Sequence, residues 1–304
     1  MMLLSICIPI YQYSVRNLVS RLRAEINKIN QDIEIIMIDD DSNDESVVTN
    51  KNISEADQMY FLQKNIGRSA IRNSFLQYAN GEYLLFLDCD AMPVRADFLH
   101  QYVNHLHQNE CQVICGGRAF DEQPPPASHY LRWNYGTYRE TNEAAIRNAD
   151  KYHAFISNNF VVKKSLLRQY PFDTRIKGYG HEDTLFGFVL HRNHIPILHI
   201  DNATLHQDLE SNSSFLLKTA HSAENLIFIK EILGDHSEFS KQITLLRAAQ
   251  TIDQWYLTKP IRWMYHISKR SIIAHLTQYG KSLKYFDWYK LGTYLECLKT
   301  RKKF

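Results

Sequence analysis

Runs of consecutive apolar residues alternate, over the first half of the chain, with stretches whose apolar positions recur at helical spacing. Residues 3–10 predict a strand stopped by Pro9, and residues 16–29 carry Leu18, Val19, Leu22, Ile26 and Ile29 on one helical face. Residues 33–38 predict a second strand, 59–62 a weaker third, 69–78 a helix, and 83–87 a strand of five apolar residues. A helix over 98–107 and a strand over 113–120 follow. This alternation is the pattern of a parallel α/β sheet, in which polar residues gather in the loops at the strand C-termini, the edge where ligands bind. Beyond Phe120 the pattern loosens. Residues 121–128 contain Pro124-Pro125-Pro126 and form a loop, either a connector or one that shapes a substrate entrance. Strands at 155–162 and 195–200 flank a helix at 184–190, and from Ser211 the character is helical, with a boundary near Asp208. The organisation is thus a domain over 1–208 and a helical extension over 209–304.

Composition bounds this picture. The chain has 304 residues, 44% apolar and 22% charged, enough to bury a substantial core. No apolar run approaches the ~20 residues of a spanning helix. Residues 1–10 lack a positive leader and a small-residue cleavage site, so they read as strand and not as signal peptide. Five cysteines (7, 89, 111, 115 and 297) form no CxxC pair and read as reduced thiols in a cytoplasmic setting.

The formal charge of +2 hides an asymmetry. From Lys259 onward 11 Lys/Arg face only Asp287 and Glu296, a net +9, while the body before it carries 24 Lys/Arg and 31 Asp/Glu, a net −7. Trp255, Trp263, Tyr265, Tyr285, Phe286, Trp288 and Tyr289 are interleaved with those basic residues. Such a segment either lies on an anionic membrane surface, at its cytoplasmic face, or covers the preceding domain with its lysines solvated. Nucleic acid is not the expected partner, because the body is acidic and no recognition motif accompanies the basic patch.

Five segments carry candidate chemistry. Ile38-Asp39-Asp40-Asp41-Ser42 ends the second strand and offers acceptors for a base N–H or ribose hydroxyls, although such clusters are also ordinary turns. Asn65-Ile66-Gly67 opens a helix bearing Arg68 and Arg72, suited to a base or phosphate or simply a solvated face. Asp88-Cys89-Asp90 follows five apolar residues, where a buried strand delivers two charges that need a counter-ion. A Mg2+ or Mn2+ ion suits both the acids and a diphosphate. Gly178-Tyr179-Gly180-His181-Glu182-Asp183 sets two acids at a helix start, where they serve a general base or an N-terminal cap. His206 is one of 14 histidines and alone says little.

In this order, across roughly residues 3 to 207, the segments resemble the inverting glycosyltransferases of family two. The fold implied is GT-A: α/β, a mixed, mainly parallel nucleotide-binding sheet flanked by helices, here with a C-terminal helical extension. The Gly-Tyr-Gly-His-Glu-Asp segment resembles the galactosyltransferase-type motif. The resemblance implies a metal-dependent enzyme moving a hexose from a UDP-sugar to a saccharide or lipid-linked saccharide in polysaccharide or glycoconjugate synthesis. It implies that Pro9 and Tyr11 line the nucleotide pocket, that Asp40 accepts the uracil N–H, and that Asn65, Gly67 and Arg72 flank the uridine. Asp88 binds ribose or metal, and Asp90 and His206 bind the metal, Mn2+ or Mg2+. Asp183 is the base, Glu182 contacts the acceptor, Tyr179 stacks on its ring, and Gly180 and His181 complete that site. Two positions depart from the pattern. Asp41 stands where glycine is usual, harmless if its backbone is not left-handed, and His181 replaces a small residue. A sugar nucleotidyltransferase is the runner-up, disfavoured because no glycine-rich basic loop follows the first strand. A non-catalytic carbohydrate-binding protein would leave Asp90 and Asp183 without a role.

Overall fold

Strands of the first domain are apolar on both faces because both faces are covered. The computed structural model of the protein describes residues 3–108, 111–234 and 237–301. Its strands are β1 (Leu4–Ile10), β2 (Ile33–Asp39), β3 (Gln58–Phe61), β4 (Tyr83–Leu87), β5 (Ala91–Pro93), β6 (Val113–Cys115), β7 (Arg118–Ala119), β8 (Asn159–Lys163), β9 (Ile197–His199) and β10 (Thr204–His206). Seven of them form a sheet in the order β3-β2-β1-β4-β8-β6-β9, and β5-β10-β7 form a small second sheet. β8 runs antiparallel between β4 and β6, whereas the other pairs of the large sheet are parallel. The expected mixed, mainly parallel α/β sheet flanked by helices is therefore what the chain forms.

Alternate residues of each strand supply two cores. Ile6, Ile8, Met37, Leu85 and Val161 meet the helices Arg16–Ile26 and Phe98–Gln108 on one face. Cys7, Ile36, Phe86, Phe160 and Val162 meet Arg68–Tyr78, Lys164–Gln169 and Glu182–Arg192 on the other. The second core is rich in rings: Phe86 stacks on Phe160 at 5.1 Å and Phe172 on Phe186 at 4.4 Å. Each such pair contributes about 0.5–1.5 kcal/mol beyond the area it buries. The five cysteines are free thiols.

Some boundaries differ from the apolar pattern, for identifiable reasons. β1 does not stop at Pro9 but runs through it to Ile10. Ile10 accepts from Asp40 N on the β2 side, so Pro9 faces the β4 side, where pairing ends at Cys7. No ladder hydrogen bond is lost there. The run 113–120 breaks at Gly116-Gly117 into β6 and β7, which join different sheets. A Cβ on Gly116 would collide with the Tyr102 hydroxyl, and Gly117 has φ +92. Phe155 precedes β8 instead of starting it.

The chain folds as two compact units: Met1–Phe120, Thr141–Lys177 and Glu182–Asp208 make up the first, and Asp121–Glu140, Gly178–His181 and Leu209–Phe304 the second. The second is helical, with long helices Asn212–Leu233, Thr258–Tyr279 and Leu283–Arg301 packed around Tyr265, Leu276, Phe286 and Tyr289. Buried Asn212 accepts from Leu131 N and donates to the carbonyls of Ala127 and Thr277. Gly280, at φ +63, ends the helix Thr258–Tyr279. Among the described residues no helix is long and apolar enough to cross a membrane.

Candidate active site

The C-terminal ends of β1 and β2 present the first group. Pro9 and Tyr11 lie at the end of β1, with Tyr11 about half exposed. Asp40 is buried, and its carboxylate accepts from Ile66 N at 2.7 Å and Gly67 N at 3.0 Å, while Asn65 Nδ2 donates to its carbonyl. It straps the turn after β2 to the start of the helix Arg68–Tyr78. Burial raises its pKa against the pull of those two N–H groups. Gly67 has φ +84, which a side chain would strain, and nothing lies within 4 Å of where its Cβ would be. Asp41 has φ +65, so the glycine position of the resemblance is left-handed after all. Aspartate tolerates that region better than most residues, at a cost of about 1–2 kcal/mol.

β4 delivers the second group. Asp88 N donates to Asn158 O, which anchors the turn to the start of β8. The Asp88 carboxylate meets Arg72 Nη2 at 2.8 Å, with Arg68 at 3.7 Å and Arg118 at 3.9 Å. Asp90 pairs with a histidine instead. Antiparallel pairing of β5 with β10 sets His206 opposite Ala91, and His206 Nδ1 lies 3.0 Å from Asp90 Oδ2. Burial works against ionised Asp90, but His206, Arg118 and Arg68 prevail and lower its pKa.

Glu182 and Asp183 open the helix Glu182–Arg192. Buried Glu182 takes Arg68 Nε at 2.6 Å and approaches Arg72 Nη1 at 3.7 Å. Burial pushes its carboxyl upward, but the two arginines win and bring it to about 2. Asp183 accepts from Thr184 N at 2.7 Å. Burial first, and then the negative charge on Glu182, raise it to about 6. Adjacent carboxyls are thus driven apart, Glu182 held below the usual carboxylate range and Asp183 raised above it.

Tyr179, Gly180 and His181 belong to the second unit. There Lys218 Nζ lies 5.1 Å over the Tyr179 ring, and Asn225 Nδ2 donates to the carbonyls of Tyr179 and Gly180. A Cβ on Gly180, at φ +98, would meet Ser222 Cβ at 2.6 Å. His181 is itself left-handed at φ +69.

The residues present fit a divalent ion of a particular kind. Among the described residues no cluster of three or more acidic, histidine or cysteine side chains is arranged as a closed cage. Asp90 and His206 stand side by side, and His206 Nε2 is buried with no hydrogen-bond partner. Nδ1 is directed at Asp90, so Nε2 is the ring atom that would be offered to a metal ion. Two protein ligands suffice for an ion that completes its shell with water and substrate phosphates.

Several residues at this edge escape a reading of motifs. Arg118 is read as part of a strand, and only the break at Gly116-Gly117 turns it toward Asp88. Asp39, already within the candidate turn 38–42, is buried, accepts from Ser42 N through Oδ1 and leaves Oδ2 without a partner, an environment its residue type does not tell. Tyr13 feels Asp90 and Asp208, which after burial help raise its hydroxyl to about 12. No spacing in the sequence signals that proximity.

Comparison with known proteins follows the same region. The family described as Glycosyl transferase family 2 matches residues 5–170. An uncharacterized glycosyltransferase of Haemophilus influenzae is 36% identical over 126 residues, 40% of this chain and 48% of that protein. The GalNAc(5)-diNAcBac-PP-undecaprenol beta-1,3-glucosyltransferase of Campylobacter jejuni is 29% identical over 191 residues, 60% of this chain and 58% of that one. The chain spans about half the length of these curated relatives. Among solved structures, the mannosyltransferase PcManGT from Pyrobaculum calidifontis, in complex with GDP-Man and Mn2+, has a TM-score of 0.57 at 16% identity, over 98% of this chain and 86% of that one. The mannosyl-3-phosphoglycerate synthase of Rubrobacter xylanophilus also reaches 0.57 at 15% identity, over 78% and 76%. At such identities the likeness is one of fold.

Proposed function

The chain belongs to glycosyl transferase family 2, and on that premise we propose that it moves a hexose from a UDP-sugar to a hydroxyl of a saccharide or lipid-linked saccharide acceptor, with inversion at the anomeric carbon. The setting is cell-surface polysaccharide or glycoconjugate synthesis on the cytoplasmic side of the membrane. Catalysis is assigned to the stretch 1–208, of which 121–140 and 178–181 belong to the same compact unit as the helical extension 209–304. The observation that carries this reading is the pair of arginines, Arg68 and Arg72, shared by Asp88 and Glu182. They bring the acid that follows β4 and the acid pair at 182–183 into one charge network. The acceptor named in the C. jejuni relative supports a lipid-linked saccharide.

The residues divide the work. Pro9, Tyr11, Asp40, Asn65, Gly67 and Arg72 hold the nucleotide, and Asp88, neutralised by arginine, faces the ribose side of the donor. Asp90 and His206 would hold Mn2+ or Mg2+, which supplies neutralising charge for a departing diphosphate. Asp183 takes the proton from the acceptor hydroxyl as that oxygen attacks C1 and the bond to the diphosphate oxygen breaks. Its raised pKa makes it a stronger base than an ordinary aspartate, while Glu182 stays ionised beside it. Tyr179, Gly180 and His181 receive the acceptor.

A panel of UDP-sugars, incubated with Mn2+ and assayed for UDP release, tests the reading. Release from at least one donor, abolished in Asp183→Asn while donor binding persists, is the expected result. Wild-type turnover by that variant would sink the base assignment, and a product that keeps the donor's anomeric configuration would sink inversion.

A further inference from the structure

Large apolar side chains that lie exposed are concentrated in one short segment. Eight of the fourteen among the described residues fall between Trp255 and Tyr285. Three are consecutive: Trp255 is 70% exposed, Tyr256 91% and Leu257 47%. They form the turn that ends the helix Thr244–Gln254. Tyr256 N donates to Asp253 O and Leu257 N to Ile252 O, both at 2.9 Å, the double closure of a Schellman turn. The residue at its left-handed position is usually glycine, sometimes asparagine, yet here it is Tyr256, at φ +58. A bulky side chain there is strained, and strain that persists marks a position held for a purpose. Burial does not supply that purpose, since the ring stands in solvent.

The following helix, Thr258–Tyr279, continues the surface. Trp263, Met264 and Ile267 are exposed at i, i+1 and i+4. Between Asp253 and Asp287 there is no acidic residue, but six Lys/Arg. Lys259, Arg262, His266 and Lys299, with Glu296 and Trp263, line an open cleft of about 510 Å³ that begins two residues after Leu257 in sequence.

We propose that Trp255-Tyr256-Leu257 is a rigid insertion tip and that, with Trp263, Lys259 and Arg262, it docks the protein on an anionic phospholipid bilayer. The rings and Leu257 enter the headgroup boundary, and the basic side chains meet lipid phosphates. A water-soluble partner would not need three consecutive apolar side chains held out by a strained turn, and an uncharged surface would leave Lys259 and Arg262 without a counterpart. The proposal holds whichever sugar the active site transfers.

Co-sedimentation of the full chain with vesicles tests it, using phosphatidylcholine alone and phosphatidylcholine doped with phosphatidylglycerol. Wild type is expected to bind the doped vesicles, less so as salt rises. Trp255→Ser with Leu257→Ser should lower binding about tenfold, and Lys259→Glu and Arg262→Glu about fivefold each. Tyr256→Gly should weaken binding while raising the thermal midpoint, which a change that merely disrupted the fold would not do. Failure of wild type to bind the doped vesicles, or equal binding by the Trp255/Leu257 variant, overturns the proposal. So does lipid-free dimerisation abolished by Trp255→Ser without vesicle binding, which would assign this face to a second copy of the chain.

Discussion

Arg72 Nη2 lies 2.8 Å from Asp88 Oδ1, and the arginine is only 2% exposed. A buried guanidinium is tolerable because acids answer it, Asp88 on one side and Glu182 at 3.7 Å on the other. The two acidic motifs, 94 positions apart (182 − 88), are therefore held in one structure by a residue between them in charge and in space.

Removing that residue should deprive Asp88 of its nearest counter-charge and leave Glu182 to Arg68 alone. Arg72→Met is expected to lower stability by about 3 kcal/mol, the cost of breaking a buried pair from one side. Urea unfolding of variant and wild type measures it; an unchanged midpoint at equal slope contradicts the account.

Transfer should rise with pH through about 6 as Asp183 loses its proton. Glu182→Gln removes the neighbouring charge that raises it and should shift this limb to lower pH. A pH profile of kcat/KM for both proteins decides. The stability sign runs opposite. A folded pKa above the unfolded value means the native state holds the proton more tightly, so this group's contribution falls as pH rises from about 4 through about 6. Asp183→Asn should consequently be more stable than wild type at neutral pH, by on the order of 1 kcal/mol.

Chelation by EDTA should stop UDP release, and Mn2+ should restore it. His206→Ala is expected to raise the Mn2+ concentration needed for half-maximal activity by about 10–100-fold. Titration of activity against Mn2+ gives the answer, and an unchanged requirement would remove His206 from the ligands.

Gly292→Ala would drive a methyl into the Tyr265 ring, whose hydroxyl is already fixed to Thr293 Oγ1 at 2.9 Å. The helices Thr258–Tyr279 and Leu283–Arg301 would have to separate, at a cost of about 1–3 kcal/mol. Thermal unfolding reads the loss.

What is legible in the sequence follows from length and local pattern. β4 is an unbroken apolar run, and β1 and β2 are predominantly apolar, interrupted by Ser5 and Glu34, because both faces of the sheet are covered, so they stand out without knowledge of the fold. β5 and β10, three residues each, are too short for any period to register, yet their pairing sets His206 beside Asp90. The candidate acids can be picked out by type and by their position after apolar runs. Their partners cannot, since Arg118 reaches Asp88 only through the turn at Gly116-Gly117. Nor does the sequence reveal that Asp41 and His181 have left-handed backbones, because neither is a glycine.

The antiparallel strand β8 has a consequence for synthesis. β6 pairs with β8 and β9 but not with β4, so the large sheet cannot close until Asn159–Lys163 has left the ribosome. Until then β4, with Leu84 and Phe86, forms the edge of a half-built sheet and lacks the partner it meets only some 70 residues later (159 − 87). An open apolar edge of that kind invites pairing with other chains. The interval between translation of Leu87 and of Lys163 is thus the one in which the β4 edge stands without its β8 partner.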